Sequence, residues 1–282
     1  MVGSSLQPQA RLSQLRNALF IGTDPEIAAI LQDVLDPLSW HVCHASDNGM
    51  ALAVTANMPF DLVITSESTS ARADVQLLHE IRKLRPHTCV IIVTGESTPA
   101  DVIASMREEA FSYFSQPFSP SALARMVRFA VGGLYEDDGI KVLQGKPEWV
   151  RILARCDMQT AERLVQFVQE MIGLPERAAI ATAFREILMN AVEHDGNLRP
   201  DRHVEIDYVR SKHTVMCRVK DPGEGFALDK IDHAAIGNPA DDPLRHITIR
   251  ADRGMRPGGY GVSLARQLVD DLKTVRRATR YC

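Results

Sequence analysis

The chain has few cysteines, no long apolar run and no block of basic residues, and each shortage removes a class of function. Its five cysteines, Cys43, Cys89, Cys156, Cys217 and Cys282, show no Cys-x-x-Cys spacing, which argues against a metal centre built on paired thiols. The first four sit within apolar runs, the pattern of reduced core thiols in a cytosolic protein. No apolar stretch reaches bilayer-spanning length and no signal peptide is legible. The expectation is therefore a cytoplasmic protein whose input arrives through a soluble ligand or partner. A formal net charge of -4, without a dense Lys/Arg segment or a helix-turn-helix pattern, argues against direct nucleic-acid binding and for protein partners. There is no solenoid repeat, and low complexity is confined to the polar start of the chain.

What is present suits about two domains: 282 residues, with 45% hydrophobic content, enough for ordinary globular cores. The first half alternates strand-like and helix-like segments. Ala18 to Ile21, His41 to Ala45, Asp61 to Thr65 and Cys89 to Thr94 read as strands, the last two as buried parallel ones. Helices are predicted over Pro25 to Leu35, Asp74 to Leu84 and Ser121 to Val131. This pattern predicts a doubly wound parallel α/β sheet.

Three stretches in the last hundred residues carry chemistry. Glu186-Ile-Leu-Met-Asn190 lies in a helical pattern from Pro175 to Glu193, so Glu186 and Asn190 share one helix face. A carboxylate there can accept a proton or orient a nucleophile, and an amide oxygen can join the hard oxygen ligands of Mg2+. Alone, the pair also fits a solvated helix face. Asp221-Pro-Gly-Glu-Gly225-Phe226 follows the strand Val215 to Lys220. A carboxylate at a strand end suits the exocyclic amine of adenine, and Gly223 and Gly225 allow close backbone approach, although Asp-Pro-Gly alone is an ordinary turn. Gly258-Gly259-Tyr260-Gly261 precedes a helix predicted from Val262 to Asp271, where unblocked backbone N–H groups can meet phosphate oxygens. Alone it is also a plain flexible connector.

In this order the three stretches resemble the GHKL ATPase superfamily, over about the last 135 residues. A strand at Val150 to Cys156, a helix at Met158 to Met171 and a break at Gly173-Leu-Pro175 make the likeness greatest to the anti-sigma-factor serine/threonine kinase branch. The resemblance implies a two-layer α/β sandwich that uses ATP and Mg2+. By matching position it implies Glu186 as catalytic base, Asn190 as Mg2+ ligand, Asp221 as adenine partner, Gly223 and Gly225 as base-pocket glycines, and Gly258, Gly259 and Gly261 as phosphate contacts. Ala227 to Pro257 corresponds to the lid, with Arg253 or Arg256 in reach of a phosphate. The family usually finishes with a further strand, whereas this chain stops at Tyr281-Cys282, so a domain shortened at its C-terminus is expected.

Asn17 to Val131 resembles a two-component receiver domain, of five-stranded flavodoxin-like fold, with altered chemistry. Gly22 and Thr23 stand where the acidic pair belongs, although Asp24 follows. Ser66 stands at the phosphoacceptor and Gln116 at the lysine, leaving Thr94 and Pro117-Phe118. Aspartyl phosphorylation needs a carboxylate nucleophile and Mg2+-holding carboxylates, so a receiver that is not phosphorylated is expected. Ser66 reads as a small strand-end residue rather than a substitute acceptor. His79-Glu80, with Pro86 downstream, is similar to a histidine-kinase phosphoacceptor box, but it lies in a helix between receiver strands and reads as an amphipathic exterior. His194 is read either as a nucleotide-region contact or as a helix C-terminal residue.

The expected organisation is a flexible tail over 1–16, a degenerate receiver over 17–131, a linker with a short strand over 132–148, and an ATP-binding kinase domain over 149–282. The function implied is a bacterial signalling kinase, ATP- and Mg2+-dependent, phosphorylating Ser or Thr on an anti-anti-sigma type partner and also sequestering a sigma factor. A homodimer is expected, with the receiver as a docking or second dimerisation surface. The alternatives are a nucleotide-binding interaction module without kinase activity and a histidine-kinase-related ATPase acting on a phosphoacceptor in another chain.

Overall fold

A computed structural model describes residues 15–66, 68–133, 138–172, 177–223, 235–239, 241–252 and 259–273. The first domain is built of β1 (Arg16–Ile21), α1 (Pro25–Val34), β2 (Trp40–Ala45), α2 (Asn48–Asn57), β3 (Leu62–Ile64), α3 (Ala71–Leu84), β4 (Cys89–Thr94), α4 (Pro99–Arg107), β5 (Ser112–Ser115) and α5 (Pro120–Gly132). Its strands pair in parallel in the order β2-β1-β3-β4-β5, the flavodoxin-like doubly wound arrangement. A parallel sheet covered on both faces needs strands that are apolar throughout, and Ala18 to Ile21, Leu62 to Ile64 and Cys89 to Val93 are all buried.

Helix starts are set by side-chain caps. Asp24, Asp47, Ser70 and Ser119 accept backbone N–H groups of α1, α2, α3 and α5, and Thr98 with Asp101 forms a capping box on α4. The sequence pattern marks neither α2, α4 nor β5. These segments are short and rich in Ala, Ser and Thr, so their pattern is weak, and tertiary packing decides them.

The second domain contains β6 (Ile140–Lys146), β7 (Trp149–Arg155), α6 (Met158–Met171), α7 (Arg177–Asn190), β8 (His203–Arg210), β9 (Val215–Lys220), α8 (Arg245–Asp252) and α9 (Gly261–Leu268). Its sheet is antiparallel throughout, in the order β6-β7-β8-β9. Alternation is clear in β7 and β8: Val150, Ile152, Ala154, Val204, Ile206 and Tyr208 face the core. The opposite face carries a ladder in which Asp207 pairs with Arg151 at 2.7 Å and with Arg218. The strand expected within the linker is longer than its apolar pattern suggested. As β6 it pairs along β7 and forms one edge of this sheet.

The two domains share α6. Arg163, Gln166 and Glu170 fall on one face of this helix, and all are buried. β5 is the outermost strand of the first sheet, and these side chains bond along it and to Phe111 just before it. Arg163 Nε donates to the Phe111 carbonyl at 2.7 Å, Gln166 Nε2 to the Tyr113 carbonyl at 3.1 Å, and the Ser115 amide donates to Glu170 Oε2 at 3.2 Å. Arg163 also pairs with Asp138. Beneath this polar seam one apolar cluster runs from Ile103, Met106 and Tyr113 of the first domain into Val150, Leu164 and Phe167 of the second. No described helix is long and apolar enough to cross a membrane.

Candidate nucleotide site and the altered receiver site

The chemistry-bearing residues of the second domain lie in two places, one where α7 meets the start of α9 and one where the turn after α7 meets the end of β9. Glu186 and Asn190, both partly buried, lie on α7. The Glu186 carboxylate lies between a neighbour on its own helix and the start of α9. Its Oε1 stands 3.5 Å from Arg185 Nη1. On the other side, a Cβ built on Gly261 at the start of α9 would lie 2.5 Å from Oε2. Gly261 thus lets the carboxylate lie against the helix start, where a side chain would make it shift. Gly259 has φ +95°, in the left-handed region that glycine tolerates.

Beyond Asn190 the sequence predicts continuing helix to Glu193, but the chain widens into a π-helical turn over Ala191–Asp195. The wider turn re-aims the residues that follow it. It brings Asp195 beside Asp221, which follows β9: a Cβ on Gly223 would lie 2.8 Å from Asp195 Oδ1 and 3.0 Å from Asp221 Oδ1. The Gly223 amide donates to Asp221 Oδ1 at 2.8 Å. Burial, and next the Asp221 charge, push the Asp195 carboxyl above its ordinary pKa. Nothing in the sequence marks Asp195, because a π-helical turn has no composition of its own. His194 is exposed in the same turn.

In the expected lid, the described residues include a 3-10 turn at Ala235–Gly237 and α8. The Ala235 amide donates to the Gly259 carbonyl at 2.8 Å, and buried His246 of α8 packs edge-on to Tyr260, with ring centroids 4.5 Å apart. The glycine turn is thereby tied to the lid. Gly225, Phe226, Gly258, Arg253, Arg256, Cys282, the Gly173-Leu-Pro175 break and residues 1–14 of the expected tail lie outside the described residues.

These residues fit a nucleotide with Mg2+. The donor set is carboxylate and amide oxygen, as a hard cation requires, and the glycines leave backbone within reach of phosphate.

In the first domain, Gly22, Asp24, Ser66, Thr94 and Gln116 gather at the C-terminal ends of the strands, where ligands of doubly wound sheets bind. Gly22 has φ +104°, and a Cβ there would lie 1.9 Å from Ser66 Oγ. Ser66 is fully buried, with its Oγ 2.7 Å from Ser68 Oγ. Asp24 caps α1 through Oδ1, which accepts the Glu26 and Ile27 amides at 2.8 and 3.1 Å. Thr94 Oγ1 donates to the Glu96 carbonyl at 3.1 Å, and the Gln116 amide donates to the Thr94 carbonyl at 3.0 Å. Thr23 is exposed.

Close by, Asp74 of α3 is fully buried. It accepts Asn48 Nδ2 at 2.8 Å and Thr69 Oγ1 at 2.9 Å. Burial pushes its carboxyl up to about 6, against hydrogen bonds from Asn48, Thr69 and Thr65. His79 pairs with Glu108 at 2.8 Å on the surface, in keeping with an exterior helix position.

Comparison with known proteins agrees with this two-domain fold. The model of the response regulator receiver domain matches residues 18–128, and that of the histidine kinase-like ATPase domain matches residues 152–281. The chain is 28% identical over 109 residues to the transcriptional regulatory protein GlrR of Escherichia coli (strain K12), a match covering 39% of this chain and 24% of that protein. It is 33% identical over 130 residues to the response regulator protein FleR of Pseudomonas aeruginosa, covering 45% and 27%. It is 27% identical over 128 residues to the serine-protein kinase RsbW of Oceanobacillus iheyensis, covering 45% of this chain and 72% of that kinase. The chain thus spans about a quarter of the length of the two regulators. What it holds is a response regulator receiver domain followed by a histidine kinase-like ATPase domain.

Proposed function

We propose that the chain is an ATP- and Mg2+-dependent protein kinase that phosphorylates Ser or Thr on a partner protein of the anti-anti-sigma type, under the control of a receiver that is not itself phosphorylated. The observation that carries this is the Glu186 carboxylate, which lies between Arg185 and the start of α9 on the same helix as Asn190. Likeness to a serine-protein kinase supports the choice of acceptor. ATP supplies the phosphoryl group, with Mg2+ neutralising charge on its oxygens. Asn190 offers an amide oxygen to the metal and Asp221 an acceptor to the base, while the backbone at Gly259 and Gly261 faces the phosphates. Glu186 accepts the proton of the incoming hydroxyl. The receiver reading is supported by Gly22, which leaves no room for an acidic side chain against Ser66. A bound sigma factor and a homodimer complete the proposal.

Calorimetric titration of ATP with Mg2+ tests it. Wild type should bind, while Asn190→Ala and Asp221→Asn should not. Glu186→Gln should keep ATP binding and lower turnover by roughly 100-fold or more. A labelled product that survives acid marks a phosphoserine or phosphothreonine. One that is lost in acid marks a phosphohistidine and sinks the serine/threonine assignment.

A further inference from the structure

A row of alternating charges joins the receiver to the nucleotide site. Arg125 on α5 of the receiver places a guanidinium nitrogen 3.9 Å from Glu162 Oε2 on α6. Glu162 Oε1 accepts from Arg185 Nη2 on α7 at 2.5 Å, and Arg185 Nη1 lies 3.5 Å from Glu186 Oε1. Glu162 is the centre of the row. Its side chain is 7% exposed, and its Oε2 makes no hydrogen bond among the described residues. A buried carboxylate with one oxygen unsatisfied depends strongly on its nearest cations. Here those cations come from different domains. Both guanidiniums are partly exposed, 49% for Arg125 and 40% for Arg185, so each can move without repacking a core.

We infer that Glu162 is a positioning residue through which α5 of the receiver sets how closely Arg185 holds Glu186, an inference that rests on Glu186 being the base proposed above. Glu162 divides its attraction between two cations. The nearer Arg125 comes, the weaker the hold of Glu162 on Arg185, and the more Arg185 turns to Glu186 Oε1. A guanidinium seated on that oxygen occupies a lone pair needed for the substrate proton. When Arg125 withdraws, Arg185 stays with Glu162 and Glu186 is freed. A receiver with no phosphorylation chemistry can still act on the site, because whatever partner docks near α5 moves Arg125.

The row predicts opposite signs for two substitutions, which simple damage to packing does not produce. In the full chain at saturating ATP, with water as the acceptor in place of the partner's hydroxyl, Arg125→Ala raises the kcat for ATP hydrolysis about twofold. Glu162→Gln leaves Arg185 to Glu186 and lowers kcat about tenfold. In both, the Kd for ATP measured by calorimetry stays at the wild-type value. Adding Arg125→Ala to Glu162→Gln changes kcat no further. If both variants lower kcat, or if their effects multiply, the relay is overturned. A second readout needs no turnover. Urea midpoints of Arg125→Ala, Arg185→Ala and the double variant are non-additive if the two arginines share Glu162, and additivity overturns the sharing. A wild-type chain that neither binds nor hydrolyses ATP removes the proposed kinase, while the unfolding cycle still decides the relay.

Discussion

Asp74 is a carboxyl that folding removes from water. Because its folded pKa of about 6 lies above the ordinary carboxylate value, the folded state binds its proton more tightly than the unfolded chain does. The resulting stability is complete below about pH 4 and is lost as pH rises through 6. The difference is on the order of 3 kcal/mol. Urea midpoints measured from pH 4 to pH 7 should therefore fall more steeply for wild type than for Asp74→Asn; parallel curves would show that Asp74 does not titrate there. Gly22 is constrained in the opposite sense, by space rather than by charge. Gly22→Asp does not restore an acidic pair, since its Cβ meets Ser66 Oγ. It should destabilise by about 1–3 kcal/mol in a urea melt without creating Mg2+ binding. The two residues differ in how much the sequence shows of them. Gly22 is conspicuous as a departure from the receiver pattern, whereas Asp74 reads as an ordinary acid in the first turn of a helix. Its burial, and the hydrogen bonds from Thr65, Thr69 and Asn48 that oppose it, are assembled only by the fold.

Among the elements, α6 matches its expected span, Met158 to Met171, and Asp157 caps it. Its polar face gives no sign of its surroundings. Arg163, Gln166 and Glu170 would face solvent on an amphipathic surface helix, and here they complete the hydrogen bonding of β5. Arg163→Met should therefore cost about 2–4 kcal/mol in urea unfolding, because Asp138 and the Phe111 carbonyl lose a buried donor. Arg128→Ala, at an exposed pair with Asp33, should leave the midpoint where it is. For α7 the sequence was right about Glu186 and Asn190 sharing a face and wrong about the end of the helix. A π-turn has no composition that marks it, so the pairing of Asp195 with Asp221 was out of reach.

At the scale of the whole molecule, the two domains follow one another in sequence as read, yet they share an apolar cluster and a polar seam. Joint burial of that kind couples the unfolding of the two domains. The chain carries two tryptophans, Trp40 in the receiver sheet and Trp149 in the ATPase sheet. Trp40→Phe and Trp149→Phe variants should consequently report one urea midpoint by fluorescence. Adding Gln166→Ala and Glu170→Ala should split it in two. Separate midpoints without those changes would mean that the seam contributes little.

The cover over β5 also bears on inheritance. Receiver domains are modular where their outer strand needs nothing from a neighbour, but this one takes its last hydrogen bonds from the helix of the domain that follows. Moved by recombination into another gene, it would leave the Phe111 and Tyr113 carbonyls and the Ser115 amide without those partners. There, water or a matching helix of the new host would have to take their place, so β5 and α6 work as a single piece.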